Sequence, residues 1–86
     1  MQRRWVVSAE YRAAIDAIIA ARTAQGLTQR EVGRRLGMHP SFLNKIENLE
    51  RRLDILEFIA LARAIGLSPV ELMSIVAAVV PVDTKL

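Results

Sequence analysis

The sequence predicts an all-α fold of five short helices around one small core. Three observations lead there. Apolar residues recur at the 3.6-residue spacing of a buried helix face instead of alternating as along a strand. Glycines and prolines are sparse, 4 and 3 in 86 residues, and nearly all fall between the periodic runs. Capping residues stand ahead of most runs.

The first helix runs from 9 to 25, with Tyr11, Ile15, Ile18 and Ile19 at helical spacing, Ser8 as its cap and Gly26 as its stop. Thr28-Gln29-Arg30-Glu31 then spells a capping box, in which the Thr28 hydroxyl accepts from the Glu31 amide and the Glu31 carboxylate reaches back to the Thr28 amide. This second helix buries Val32 and Leu36 and ends at Gly37, a residue type that tolerates the left-handed turn closing a helix. Only Met38 and His39 intervene before Pro40, whose fixed φ and missing N–H suit a first helical position. A third helix follows from 40 to about 48, with His39 as its cap and Leu43 and Ile46 facing inward. Residues 49–54 read as a charged connection. Ile55, Leu56, Ile59, Ala62 and Ile65 mark a fourth helix that stops at Gly66. Ser68-Pro69-Val70-Glu71 is a second capping box and opens a fifth helix through about 79, before Pro81. Two short stretches carry a weak β pattern: residues 3–8, around Trp5-Val6-Val7, and residues 79–82.

A chain of 86 residues fits a single domain, 1–86. With no Cys it cannot be stapled by disulfides, so apolar packing must hold it together, which points to a reducing, cytoplasmic setting. Polar Ser8, Glu10, Tyr11 and Arg12 follow the basic start too soon for a signal peptide. No stretch approaches the roughly 20 apolar residues of a membrane span. One His, no Cys, no acidic cluster and no glycine-rich phosphate loop argue against an enzyme, a metal site or a bound cofactor. The net charge is +3, and Arg30, Arg34, Arg35, Lys45, Arg51 and Arg52 crowd one central segment. Such a cluster suits a polyanion, although a solvated helical face has the same composition.

Two short helices joined by a tight turn form a helix-turn-helix unit, here at about 28–48, whose second helix enters the major groove of DNA. Gly33 supplies a small residue inside the first of them, where an ordinary helix avoids glycine. From Thr28 through Gly33, Gly37 and Pro40 to Asn48, the segment resembles, position by position, the Cro and repressor type family, also called the XRE family. The resemblance extends from about 14 to 73 and implies a five-helix bundle of the lambda-repressor-like type. It implies a sequence-specific transcriptional regulator, a repressor that binds a palindromic operator in double-stranded DNA as a homodimer. An antitoxin-type autoregulator, or an adaptor that uses the fold to bind a protein partner without base readout, are the alternatives.

The resemblance also assigns residues. Gln29, first in the second helix, and Asn48, after the recognition helix, take the positions that hold DNA phosphates. Pro40, Ser41, Phe42, Asn44 and Lys45 take those that face base edges. Pro40 departs from the usual hydrogen-bonding residue and offers only apolar or shape contacts, Leu49 replaces a common Gly, and Leu53 stands where Pro is common. The resemblance pairs Arg22 with Glu47 as a structural salt bridge. From chemistry alone, Arg51 and Arg52 suit phosphates as bidentate donors or are solvated loop charges. Ser41 either supplements the helix cap or bonds a base, and Phe42 either packs against the second helix or meets a thymine methyl. Trp5 is a core or dimer anchor. The fifth helix is apolar on most sides: with Leu72, Ile75 and Val79 turned to the core, Met73, Val76 and Val80 are left as a dimer interface within residues 69–80.

Overall fold

The structure, a computed structural model, describes residues 7–86. Among the described residues there are five helices and no strand: α1 (Ala9–Ala24), α2 (Gln29–Leu36), α3 (Pro40–Glu47), α4 (Ile55–Ile65) and α5 (Pro69–Val79). Residues 79–82 are not extended into a strand, and most of the 3–8 segment, Trp5 included, lies outside the described residues. No single helix among them is long and apolar enough to cross a membrane.

Each helix begins where a side chain meets the free amides of its first turn. Ser8, Thr28, His39, Asp54 and Ser68 are the N-caps, accepting from the amides of Tyr11, Glu31, Ser41, Glu57 and Glu71. The box at Ser68 is reciprocal, as its sequence predicts. The one at Thr28 is only half formed, because the Glu31 carboxylate turns to Arg34 and Arg35 instead of to the Thr28 amide. A third box, complete and missed from sequence, joins Asp54 to Glu57. Gly37 and Gly66 close α2 and α4 in the left-handed conformation.

Val32, Leu43, Ile46, Leu61, Ile65 and Leu72 are fully buried and come from α2, α3, α4 and α5; Ile15 and Ile18 of α1 complete the core with them. In α5 the inward residues are Leu72 and Val76, one helical turn apart. This corrects the rotation inferred for that helix. Val76, only 9% exposed, belongs to the core and not to an outward interface, while Val80 packs half-buried against it. Ile75 and Val79, expected inside, are exposed at 41% and 45%. Met73 does face outward, beside Val70, and across a groove from Ile55 and Ile59 of α4. A helix apolar on nearly every side gives no pattern from which its rotation can be read.

Candidate nucleic-acid interface

The turn between α2 and α3 is closed by backbone touching backbone. A Cβ on Gly33 would sit 3.0 Å from the Met38 carbonyl oxygen and 3.3 Å from the Pro40 Cα, so a side chain there would require this backbone to give by a few tenths of an ångström. The Met38 amide donates to the Gly33 carbonyl at 2.9 Å and seals the turn. Pro40 then opens α3, and the His39 ring accepts the Ser41 amide through Nδ1 at 3.1 Å. The Ser41 hydroxyl lies 3.0 Å from the same nitrogen, so Ser41 is tied to the cap while remaining exposed.

With Leu43 and Ile46 buried, helical geometry sets Ser41, Asn44, Lys45 and Asn48 outward, and all four are exposed. Pro40 is half-buried at the edge of this face. Phe42 leaves it. Its ring is half-buried against the core, and the Arg51 guanidinium lies 4.8 Å over its centroid. Arg51 also forms a two-pronged ion pair with Glu57, one bond being 2.9 Å. Two residues expected to meet DNA are thus joined to each other and to α4. Arg52 lies over the Tyr11 ring at 5.2 Å and is exposed.

Beneath the outward face is a charged pair with few routes to solvent. Arg22 donates from Nε and a terminal nitrogen to the two oxygens of Glu47, at 2.7 and 2.9 Å, and from its other terminal nitrogen to the Leu27 carbonyl at 2.7 Å. The side chains are 11% and 5% exposed. Glu47 accepts a third bond, from Gln29 Nε2 at 2.7 Å. Gln29 Oε1 in turn accepts from Asn44 Nδ2 at 3.3 Å, and Asn44 Oδ1 from Asn48 Nδ2 at 3.1 Å. The two links made by Gln29 leave no local pattern in the sequence, since their partners lie 18 and 15 residues away.

The loop after α3 takes an unusual course. Leu49 has φ +62°, a conformation that favours glycine, yet its side chain is only 4% exposed. Burial of an isobutyl group, about 2 kcal/mol, offsets the roughly 1 to 2 kcal/mol of a left-handed non-glycine residue. Leu53 also departs from the family pattern to some purpose: its amide donates to the Tyr11 hydroxyl at 3.1 Å, a bond that proline lacks.

Charge on this side is ordered by pairing. Glu31 is half-buried, and hydrogen bonds from Arg34 and then Arg35 hold its carboxyl down at about 2. Arg51 likewise holds Glu57 below the usual carboxylate range, against the opposing effect of burial. No cluster of three His, Cys, Asp or Glu residues suited to a metal occurs among the described residues.

Residues 18–72 match the family model described as helix-turn-helix. An XRE-family like protein from Pseudomonas syringae pv. tomato str. DC3000 is 46% identical, with 85% of this chain and 89% of that one covered and a TM-score of 0.76. The clp gene regulator ClgR from C. glutamicum shares the fold at 18% identity, with 90% and 100% covered and a TM-score of 0.73. Among curated proteins none matches.

Proposed function

Because the chain belongs to the XRE family of helix-turn-helix proteins, we propose that it is a DNA-binding transcriptional regulator, a repressor that docks α3 in the major groove of a palindromic operator. One observation carries this: four exposed hydrogen-bonding side chains, Ser41, Asn44, Lys45 and Asn48, share the outward face of a helix whose other face is locked into the core. Ser41, Asn44 and Lys45 face base edges, with Pro40 as a shape contact. Gln29, Asn48 and Arg52 hold phosphates. Arg51 and Phe42 serve instead to fix the loop that follows α3, since each is engaged by the other.

The protein acts as a homodimer. Ile55 at 74% exposure, Val70 at 78% and Met73 at 48% line one side of α4 and α5, and a second copy related by a two-fold axis covers them. Pairing there sets two copies of α3 against grooves about 34 Å apart.

Selection of bound fragments from random duplex DNA tests the proposal, with a palindromic consensus as the expected result. Affinity for that site should fall linearly on a log–log plot against salt as counterions are released. Arg52→Ala should weaken all sequences alike, whereas Ser41→Ala or Lys45→Ala should change which bases are preferred. A chain that binds no DNA at low salt would favour the protein-adaptor role instead.

A further inference from the structure

The amides on the outward face of α3 form a chain that begins on a charge. An isolated Asn or Gln amide can be turned over at little cost, because its oxygen and nitrogen have nearly the same shape. Here the first link removes that freedom. Glu47 is a carboxylate held by Arg22 and can only accept, so Gln29 must face it with its NH2 group. The Gln29 oxygen is then left for Asn44, which must answer with its own NH2. The Asn44 oxygen is left for Asn48, which answers the same way. One charge beneath the surface thereby sets the direction of three amides above it, and each bond polarises the next.

At Asn44 the inventory is short. Its amide has two N–H donors and two oxygen lone pairs, of which Gln29 takes one donor and Asn48 one lone pair. One donor and one acceptor remain on a side chain that is exposed in the middle of the outward face. Adenine is the base whose major-groove edge complements that set, with N7 accepting and N6 donating. Guanine presents two acceptors, N7 and O6, so the Asn44 oxygen would oppose O6. Cytosine offers a lone donor, and thymine an acceptor beside a methyl group.

We infer that Asn44 selects adenine at one position in each half-site, and that Gln29 and Glu47 are positioning residues that hold its amide the right way round. This rests on the DNA-binding function proposed above. Gln29 keeps a second N–H for a phosphate, so it anchors and positions at once.

The test uses the full chain and the site selected from random DNA, with affinities measured for duplexes changed at single positions. Wild-type protein should prefer adenine to guanine at one position per half-site by on the order of tenfold. Asn44→Ala should abolish that preference and leave those at other positions intact. Replacing the adenine by 7-deazaadenine, which lacks N7, should weaken the wild-type protein but not Asn44→Ala; this arm needs only the wild-type fold to be informative. Gln29→Ala should weaken every duplex and also lower the adenine-to-guanine ratio at that same position, which loss of a phosphate anchor alone would not do. An unchanged ratio in Gln29→Ala overturns the positioning role. A consensus whose adenine preference survives Asn44→Ala, or a wild type indifferent to 7-deazaadenine, overturns the adenine assignment alone. A wild-type chain that selects no sequence overturns the DNA-reading function itself, and this inference with it.

Discussion

The α2–α3 half of the molecule and the α4–α5 half are finished to different degrees. Around α2 and α3 the polar groups find one another: Arg22, Glu47, Gln29, Asn44 and Asn48 form one continuous set, and Glu31 gathers Arg34 and Arg35. Around α4 and α5 the polar contacts are largely caps and the anchors of the adjoining loops, while Ile55, Leu56, Val70, Met73, Ile75 and Val79 stay exposed. The difference is instructive. A surface that reads hydrogen bonds must hold its donors and acceptors still before it meets a ligand, and mutual satisfaction does that. An apolar surface needs no such orientation, only a second apolar surface, and the proposed homodimer supplies it.

The strongest way to break the contrast is to cut the polar half at its root. Arg22→Ala should strand Glu47 with little access to water and cost about 3 to 5 kcal/mol in urea unfolding. Glu47→Ala should cost a similar amount, and the double variant less than the sum. Strict additivity would show that the pair contributes nothing as a pair.

In the apolar half the matching experiment sets two adjacent residues against each other. Leu72 is fully buried and Met73 is 48% exposed. Leu72→Ala should lose about 2 to 5 kcal/mol. Met73→Glu should change the stability of the folded monomer by less than about 1 kcal/mol, yet shift sedimentation from dimer to monomer. A dimer that survives Met73→Glu would place the two-fold contact elsewhere. Val76→Glu cannot serve this purpose, because it would place a carboxylate in the core of each protomer.

Leu49→Gly sharpens the comparison at the join between the halves. Glycine relieves the φ of +62° but gives up a side chain only 4% exposed. Packing loss exceeds strain relief, so the variant should be less stable by about 1 to 2 kcal/mol in thermal unfolding. A gain in stability would mean that strain dominates the loop.

The smallest effect is in acid. Arg51 depresses the folded-state pKa of Glu57 below the ordinary 4.5. The contribution of this pair is therefore present above the unfolded value and is lost as pH falls towards the folded one. Melting temperatures measured from about pH 5 to pH 3 should fall less steeply for Glu57→Gln than for the wild type. Parallel curves would remove Glu57 from the acid response.

Much of the frame was legible because its boundaries are chemical. Ser8, Thr28, Pro40, Gly37, Gly66 and the Ser68 box each mark an end within a residue or so, and all five helices lie where those marks put them. The Asp54 box was overlooked because Glu50, Arg51, Arg52 and Asp54 together read as a charged connection. The period of α3 marked Leu43 and Ile46 as inward, and its outward positions came from the resemblance, which placed Phe42 among them although its ring packs on the core. What ties the outward face together was not legible: Gln29 to Glu47 and Asn44 to Gln29 are tertiary pairs, and Arg22 with Glu47 was suggested only by resemblance. The rotation of α5 failed for a different reason, since Ile75, Val76 and Val79 are chemically alike and only packing distinguishes them.

The close approach at Gly33 bears on how such a protein can diversify. The main chain of Met38 and Pro40 packs close against Gly33, and substitutions at Ser41 or Lys45 do not remove that contact. Ser41 and Lys45 can therefore be exchanged, by selection or by an engineer, without retuning the scaffold that presents them. Under the proposed function, such a frame would let a new operator be tried one substitution at a time.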